Sequence, residues 1–352
     1  MKPFGFVVPG RIDQITGGYL YDRRVVEGLR AQGRDVTVHE LSGRFPAADA
    51  EARDAATALL EDLPDGAALC IDGLALPGFD PALKRHAGRL SVVALVHHPL
   101  ALETGISPGE AAVFAMLEAR LLPYCRGVLC PSPASAAAVR DYGVPAERIA
   151  IVPPGLDRAA RLAEPRADGP IRLLSVGTVT PRKGHVLLVE ALTPLAALPW
   201  QLTIIGSLER DPDTARQLLD VIETNGLHNR ITLAGEARPG SLGAAYEAAD
   251  LFVLPSYHEG YGMVFAEAMA HGLPILATTG GAIPDTVPNS AGILVPPGDR
   301  AALTEALGRL IQDGGLRRQL GAGAVAAAAR LPGWDETARA FGTALDRLCT
   351  TP

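Results

Sequence analysis

Two glutamates, Glu259 and Glu267, stand eight positions apart in PSYHEGYGMVFAEAMAHGLPILA, residues 255–277. Glu259 lies in a turn with Gly260 and Gly262, whereas Glu267 lies inside an apolar stretch. Glycine lets a backbone approach a ligand closely, and an ionised carboxylate only accepts hydrogen bonds. Burying such a carboxylate is costly unless it has a partner. The pair could therefore hold neutral hydroxyl groups, such as those of a sugar and a ribose.

The turn HEGYG connects the apolar run LFVLPS to a predicted helix that ends at Gly272. The first N–H groups of this helix, from about Tyr261 through Met263 to Val264, lack intrahelical acceptors and carry the positive end of the helix dipole. Such a helix start binds phosphate, and we expect Glu259 to bind sugar hydroxyls beside it.

Taken alone, Glu267 would most simply face solvent or pair with an arginine. The glycine turn and Glu259 change that balance, because one short segment then supplies an anion site and a hydroxyl acceptor. The pair therefore predicts a clamp for a nucleotide sugar.

The elements around this segment alternate between apolar runs bounded by glycine or proline and helical stretches. This pattern predicts an α/β fold with parallel sheets that are covered on both faces. A polar segment with two prolines, residues 158–170, interrupts the alternation and is typical of a linker. We therefore predict two tandem doubly wound domains, residues 1–163 and 164–334, whose default ligand site is the cleft where they face each other.

Composition excludes several classes of function. The 352 residues carry a formal net charge of −7 with acidic and basic residues mixed, which argues against a nucleic-acid partner. Four cysteines without metal-site spacing indicate reduced thiols. No apolar run is long enough for a signal peptide or a membrane span, so we predict a cytoplasmic protein and leave a peripheral membrane contact open.

Two other motifs resemble ligand sites but lack the right context. GAGAVA, with Gly321, Gly323 and Ala326, fits a dinucleotide pattern but follows a helical stretch, so we interpret it as helix. Asp211 and Asp213 resemble a metal-binding pair, but the proline between them favours Asp213 as a helix N-cap. Neither motif predicts a cofactor or a metal.

The chain resembles the retaining GT-B glycosyltransferases of family 4. Their hallmark, a glutamate, seven residues and a second glutamate after a PS strand end, stands here as Glu259 to Glu267. LLSVGTVTPRKGHVLLVEAL and VVALVHHP are similar to segments of the family's two domains, and the similar segments span nearly the whole chain in order. The resemblance implies two Rossmann-like domains that face a cleft, with the terminal helix, about 335–352, returning to the first domain.

The resemblance also implies roles for individual residues. Lys183 and Arg182 in PRKG would bind the donor diphosphate, and Lys183 offers a point charge suited to phosphate oxygens. His97 would lie at the reaction centre. Gly17 and Gly18, which alone indicate only a turn, would lie against the donor phosphate or sugar.

One departure from the family pattern concerns the diphosphate. Thr178 replaces an arginine that often helps to hold it, so a phosphate contact at this position stays open, and Arg182 would compensate. The predicted catalytic residues are His97, Glu259, Lys183 and Arg182. The predicted donor-binding residues are Gly17, Gly18, Thr178, Arg182, Lys183, Glu259, Gly260, Tyr261, Gly262, Met263, Val264 and Glu267.

The implied reaction moves a sugar, with retention, from a nucleotide-diphosphate sugar such as a UDP or GDP sugar to an acceptor hydroxyl. Fixed cations and backbone N–H groups would stabilise the departing diphosphate, so no metal or other cofactor is expected. The acceptor could be a saccharide, a small molecule or a lipid.

Three alternatives share this fold: a sugar-nucleotide epimerase, an inverting transferase and a non-catalytic sugar-nucleotide-binding protein. The first two call for a base in the cleft in place of the paired glutamates. Intact Glu259, Lys183 and His97 argue against the third.

Overall fold

The computed structural model describes residues 3–103, 105–159, 162–163, 169–237 and 241–350. The chain separates into two compact units, Met1–Gly155 with Pro332–Pro352, and Leu156–Leu331. The predicted linker, 158–170, contains residues 160–161 and 164–168, which lie outside the described residues. The domain limits drawn from the sequence, which place the first boundary between 163 and 164, stay predictions.

The first unit contains a six-stranded parallel sheet in the order β2-β1-β3-β4-β5-β6. Its strands are β1 Phe4–Pro9, β2 Val36–Leu41, β3 Ala68–Asp72, β4 Ser91–Leu95, β5 Gly127–Cys130 and β6 Ile149–Ile151. Its first helices are α1 Gly17–Ala31, α2 Ala50–Asp62, α3 Ala82–His86, α4 Pro108–Leu121 and α5 Pro133–Asp141. The strand order reverses between β1 and β3, and ligands bind doubly wound sheets at such switch points.

The second unit contains a second six-stranded parallel sheet, in the order β12-β11-β10-β7-β8-β9. Its strands are β7 Ile171–Val176, β8 Trp200–Ile205, β9 Ile231–Leu233, β10 Leu251–Leu254, β11 Ile275–Thr278 and β12 Gly292–Val295. Its helices are α6 His185–Leu192, α7 Pro212–Thr224, α8 Leu242–Ala248, α9 Met263–Ala270, α10 Ile283–Thr286, α11 Arg300–Gln312 and α12 Gly314–Ala328. Its switch point lies between β7 and β10. The predicted architecture of two Rossmann-like α/β units is confirmed.

The last helix, α13 Trp334–Thr350, packs on α1 in the first unit. Gly28 of α1 makes the close approach possible, because a Cβ there would lie 2.5 Å from the Cβ of Ala338. Buried aromatic rings reinforce the contact, with Phe6 and Phe341 at a centroid distance of 6.2 Å. None of the described helices is both long and apolar enough to cross a bilayer.

Two local predictions have different outcomes. GAGAVA lies inside α12, which confirms the helical interpretation. The prediction that Asp213 caps α7 is wrong, because the side chain of Asp211 accepts the Thr214 N–H at 3.0 Å. Pro212 occupies the first helical position. Proline is tolerated there because a backbone N–H at that position would have no intrahelical acceptor. Asp213 instead pairs on the surface with Arg216.

Candidate functional site

Two loops meet at the switch point of the second sheet. Lys183 lies in the loop after β7, and Glu259 lies in the loop after β10. Gly184 follows Lys183 with a φ of 69°, and a Cβ there would lie 2.3 Å from the carbonyl oxygen of Pro255. Only glycine adopts this backbone easily and lets the two loops come so close. The glycine of the PRKG motif therefore brings the lysine and the glutamate together.

Glu259 is the centre of a buried cluster and is only 5% exposed. Lys183 Nζ lies 2.6 Å from Oε1, and Arg182 Nη1 lies 3.0 Å from Oε2. The hydroxyl of Ser256 donates to Oε1 at 2.6 Å. Burial acts to raise the pKa of Glu259, but the charges of Lys183 and Arg182 and the hydrogen bonds lower it to about 2. The carboxylate is therefore ionised at neutral pH.

This cluster has one more positive charge than negative. Two cations and one carboxylate leave a formal charge of +1, so Lys183 and Arg182 can still attract an anion. Glu259 already accepts three hydrogen bonds, and a carboxylate has about four acceptor positions. In this arrangement it has room for about one sugar hydroxyl, whereas the sequence analysis expected it to bind sugar hydroxyls without naming protein partners. Ser256 was not among the predicted site residues.

The glycine turn continues directly into α9. Gly262 precedes the helix with a φ of 85°, and a Cβ there would lie 2.5 Å from the ring of Phe265. The helix begins at Met263, so the first N–H groups are those of Met263 and Val264. Tyr261 lies before the helix, not in its first turn as the sequence suggested.

Two further predicted donor-binding residues lie in the same loops. Gly260 is half-buried in the loop after β10, and Thr178 is half-buried in the loop after β7. The backbone of Thr178 packs on Gly206, where a Cβ would lie 1.9 Å from the carbonyl oxygen of Gly177. The tight packing holds the loop after β7 against the end of β8.

Glu267 is half-buried on α9, and its partner is a tyrosine rather than an arginine or bulk solvent. The hydroxyl of Tyr246 donates to Oε2 of Glu267 at 2.8 Å. Burial raises the pKa of Glu267 to about 7, the Tyr246 hydrogen bond opposes this rise, and the charge of Asp157 adds to it. Tyr246 also stacks on His271, with ring centroids 5.2 Å apart. The sequence did not reveal Tyr246, which lies on a different helix, α8.

In the first unit, His97 follows β4 at the carboxyl edge of the sheet. Its Nε2 lies 3.0 Å from Oδ1 of Asp22 on α1 and 3.4 Å from Oδ2 of Asp72 at the end of β3. Gly17 begins α1, and a Cβ on Gly18 would lie 3.4 Å from the His97 ring. The structure thus brings the predicted residues Gly18 and His97 together. It adds two carboxylates that the sequence analysis did not identify.

This group, Asp22, Asp72 and His97, is here called the histidine cluster. Both carboxylates are almost fully buried. Burial acts to lower the pKa of His97, but the charge of Asp22 and hydrogen bonds to both carboxylates raise it to about 10. Burial raises the pKa of Asp22 to about 7 against the charge of His97. One side-chain atom of each of these three residues lies within 4.8 Å of the other two, so the group could share either a proton or a cation.

Comparisons with known proteins agree with this architecture. A family profile described as glycosyl transferases group 1 matches residues 170–313, and one described as Glycosyltransferase Family 4 matches residues 71–160. Together they take in more than half of the chain. The structure of sucrose-phosphate synthase from Thermosynechococcus elongatus superimposes with a TM-score of 0.82 and 23% identity over 97% of this chain and 98% of that one. The structure of the Anabaena protein HepE, solved with UDP and glucose, superimposes with a TM-score of 0.77 and 19% sequence identity. The superposition covers 98% of this chain and 99% of that one.

A sequence relative is the D-inositol 3-phosphate glycosyltransferase of Xylanimonas cellulosilytica, 36% identical over 221 residues. The match takes in 58% of this chain and 52% of that protein, so the chain spans about half the length of the curated relatives it matches. The two family profiles, the relative and the paired GT-B architecture agree. The chain carries a Glycosyltransferase Family 4 domain at residues 71–160 and a glycosyl transferases group 1 domain at residues 170–313.

Proposed function

We propose that this protein is a retaining glycosyltransferase that moves a sugar from a nucleotide-diphosphate sugar to an acceptor hydroxyl without a metal. The observation that carries the proposal is the cluster of Lys183, Arg182 and Glu259 at the switch point of the second sheet. It combines an excess positive charge for a diphosphate with a carboxylate for a sugar hydroxyl. A protein that only folds like a transferase has no need for this costly buried arrangement.

The chemistry of the proposed reaction fits this charge. Negative charge grows on the diphosphate as the bond to the sugar breaks, and fixed positive groups stabilise it most when they are already in place. Lys183 and Arg182 are held by Glu259, so they need little reorganisation. The N–H groups at the start of α9 add a second source of positive potential. Glu267 would accept the ribose hydroxyls. A phosphate oxygen would take the proton of the acceptor, so no protein nucleophile is assigned.

The histidine cluster favours retention over the inverting alternative. An inverting transferase needs a base that takes the acceptor's proton. His97, the histidine that the family resemblance places at the reaction centre, has a pKa raised to about 10 and therefore holds its own proton at neutral pH. The same property argues against an epimerase that uses His97 as its base.

Relatives suggest where to begin with substrates. HepE was solved with UDP and glucose, which supports UDP sugars as the first donors to test. The named sequence relative acts on an inositol phosphate, which supports a small polar acceptor as one candidate. A saccharide or a lipid are the other acceptors to compare. The cytoplasmic location and any peripheral membrane contact stay predictions.

The first experiment needs no acceptor. Melting temperatures are measured with UDP, GDP, ADP and TDP and their sugar conjugates, since a ligand of the folded state raises the transition in proportion to ln(1 + [L]/Kd). We expect one nucleotide family to raise it, and Lys183→Met to abolish that rise. Arg216→Met serves as the control, because Arg216 is an exposed cation of the same unit.

The second step measures the chemistry with the donor that binds. Slow hydrolysis of the donor is followed by NMR with and without EDTA, and the anomeric form of the released sugar is read before it equilibrates. Retention without EDTA sensitivity is expected. An inverted product, a strict metal requirement, or an epimerised sugar nucleotide would each contradict the proposal. Binding with no turnover for any acceptor or water would favour the non-catalytic alternative.

A further inference from the structure

The histidine cluster in the first unit has two carboxylates against one imidazole nitrogen. Asp22 Oδ1 and Asp72 Oδ2 both approach His97 Nε2, at 3.0 and 3.4 Å. Asp22 is fully buried, and its Oδ2 has no hydrogen-bond partner among the described residues. Two carboxylates this close stay ionised in a buried place only beside a positive charge, and otherwise one of them keeps a proton. A positive charge at the centre of the cluster would therefore stabilise both carboxylates in their ionised form.

The other groups around the ring do not supply that charge. Tyr21 meets the ring edge-on at a centroid distance of 5.4 Å, and its hydroxyl is committed to the carbonyl oxygen of Val152 at 3.0 Å. The backbone of α1 at Gly18 covers another side. The charged groups that act on His97 are Asp22 from α1 and Asp72 from β3. The proton of His97 itself is the charge that fits.

We propose that Asp22 and Asp72 are positioning residues that hold His97 as an imidazolium, so that its Nδ1–H donates to an oxygen of the reacting sugar. The part of the inference that concerns the sugar rests on the proposed function. The protonation of His97 does not depend on that function. An imidazolium donates from both ring nitrogens, and Nε2 is taken by the carboxylates. The His97 side chain is 19% exposed, whereas the Asp22 side chain is inaccessible, so a ligand can reach the histidine but not Asp22.

The pKa of His97 agrees with this geometry, because the charges of Asp22 and Asp72 and their hydrogen bonds to the ring all raise it. The charge of Asp22 contributes more to the rise than that of Asp72. Asp22→Asn should therefore weaken proton binding by His97 more than Asp72→Asn does. Both substitutions keep the shape of the side chain and remove its charge.

The experiment is an NMR titration of the histidine side chains in the full chain labelled with 15N-histidine. The His97 signal is assigned by its loss in His97→Gln. We expect wild-type His97 to stay protonated beyond pH 8.5, and Asp22→Asn to weaken its proton affinity by tenfold or more. Asp72→Asn should weaken it less. Asp13→Asn is the control, because Asp13 is an exposed carboxylate of the same unit that pairs with Arg11.

Several results would overturn the inference. A wild-type His97 that titrates near pH 6.5 would do so without any variant, even if Asp22→Asn failed to fold. The inference would also fail if neither Asp22→Asn nor Asp72→Asn changed the pKa of His97. It would fail as well if Mg²⁺, Mn²⁺ or Zn²⁺ bound and displaced the His97 proton, since the cluster would then be a metal site.

Turnover separates this inference from the proposed function. In an active enzyme, Asp22→Asn should lower kcat far more than it raises the donor KM, and the alkaline loss of activity should move to lower pH. An unchanged pH profile would overturn the inference. If wild-type protein transfers no sugar and yet His97 titrates as expected, the proposed function fails and the protonation of His97 stands.

Discussion

The sharpest test of the second unit is Lys183→Met, which removes one cation from the buried cluster around Glu259. The variant leaves Arg182 and Ser256 in place, and methionine fills much of the same volume without a charge. Glu259 would keep its burial but lose its closest partner, Lys183 Nζ at 2.6 Å. The free energy of unfolding should therefore fall even without any ligand.

The magnitude follows from the ionisation of Glu259. Its pKa falls from 4.5 to about 2 in the folded protein. The shift corresponds to about 3 kcal/mol in favour of the charged form. Breaking a buried ion pair by removing one partner costs about 3–5 kcal/mol, and the remaining Arg182 reduces that cost. We expect a loss of about 2–3 kcal/mol at pH 7, seen as a fall of about 5–10 °C in the transition of the second unit.

The effect should also depend on pH with a defined sign. The pKa of Glu259 is lowered on folding, so the stability it supplies is present above pH 4.5 and is lost as the pH falls through about 2. The difference between wild type and Lys183→Met should therefore shrink below pH 4.5. At neutral pH it should be nearly constant.

The assay is a double-mutant cycle with Lys183→Met, Glu259→Gln and the double variant, measured by calorimetry. Glu259→Gln removes the charge that the lysine compensates, so the double variant should be less destabilised than the sum of the single variants by at least about 1 kcal/mol. Arg216→Met, at an exposed ion pair, should change stability by less than about 0.5 kcal/mol. Additive single effects would refute the assignment of a buried ion pair.

Two further changes test neighbouring features. The pKa of Glu267 is raised to about 7, so the stability tied to its protonated form is present below pH 4.5 and lost as the pH rises through 7. Glu267→Gln should therefore gain thermal stability relative to wild type between pH 5 and 8 and yet bind the nucleotide more weakly; equal pH profiles would contradict this. Gly184→Ala should destabilise the protein by about 2 kcal/mol or more, because it combines a positive φ with a Cβ 2.3 Å from Pro255 O. An unchanged denaturation midpoint would show that the loops after β7 and β10 can separate.

Features of the second unit that depend on local sequence could be predicted. HEGYG lies between β10 and α9 because its glycines interrupt the apolar runs on both sides. GAGAVA forms part of α12 because its surroundings are helical. The cap of α7 was placed wrongly, since Asp211 and Asp213 both stand beside the same proline and only the position of the helix start distinguishes them.

Features that depend on strand order could not be predicted. Asp22, Asp72 and His97 lie far apart in the chain and meet only because β1, β3 and β4 are neighbours in the sheet. The sequence shows that these segments are buried, but not which strands are neighbours. The Glu259 cluster was hidden for a related reason. Lys183 and Glu259 were each recognised, but as ligands of a substrate rather than as partners of each other.

The two switch points carry different buried clusters, and each bears separately on the proposed reaction. Lys183 and Arg182 outnumber Glu259, so the cluster in the second unit has a formal charge of +1. The histidine cluster in the first unit sets two carboxylates against one imidazole, and burial raises the pKa of Asp22 to about 7. Glycosyl transfer leaves negative charge on the departing diphosphate, which fixed positive groups stabilise. A positive cluster alone would suit any phosphate-binding protein. A buried histidine held by two carboxylates is costly and does nothing for phosphate binding, so it favours a protein that performs chemistry over one that only binds nucleotides.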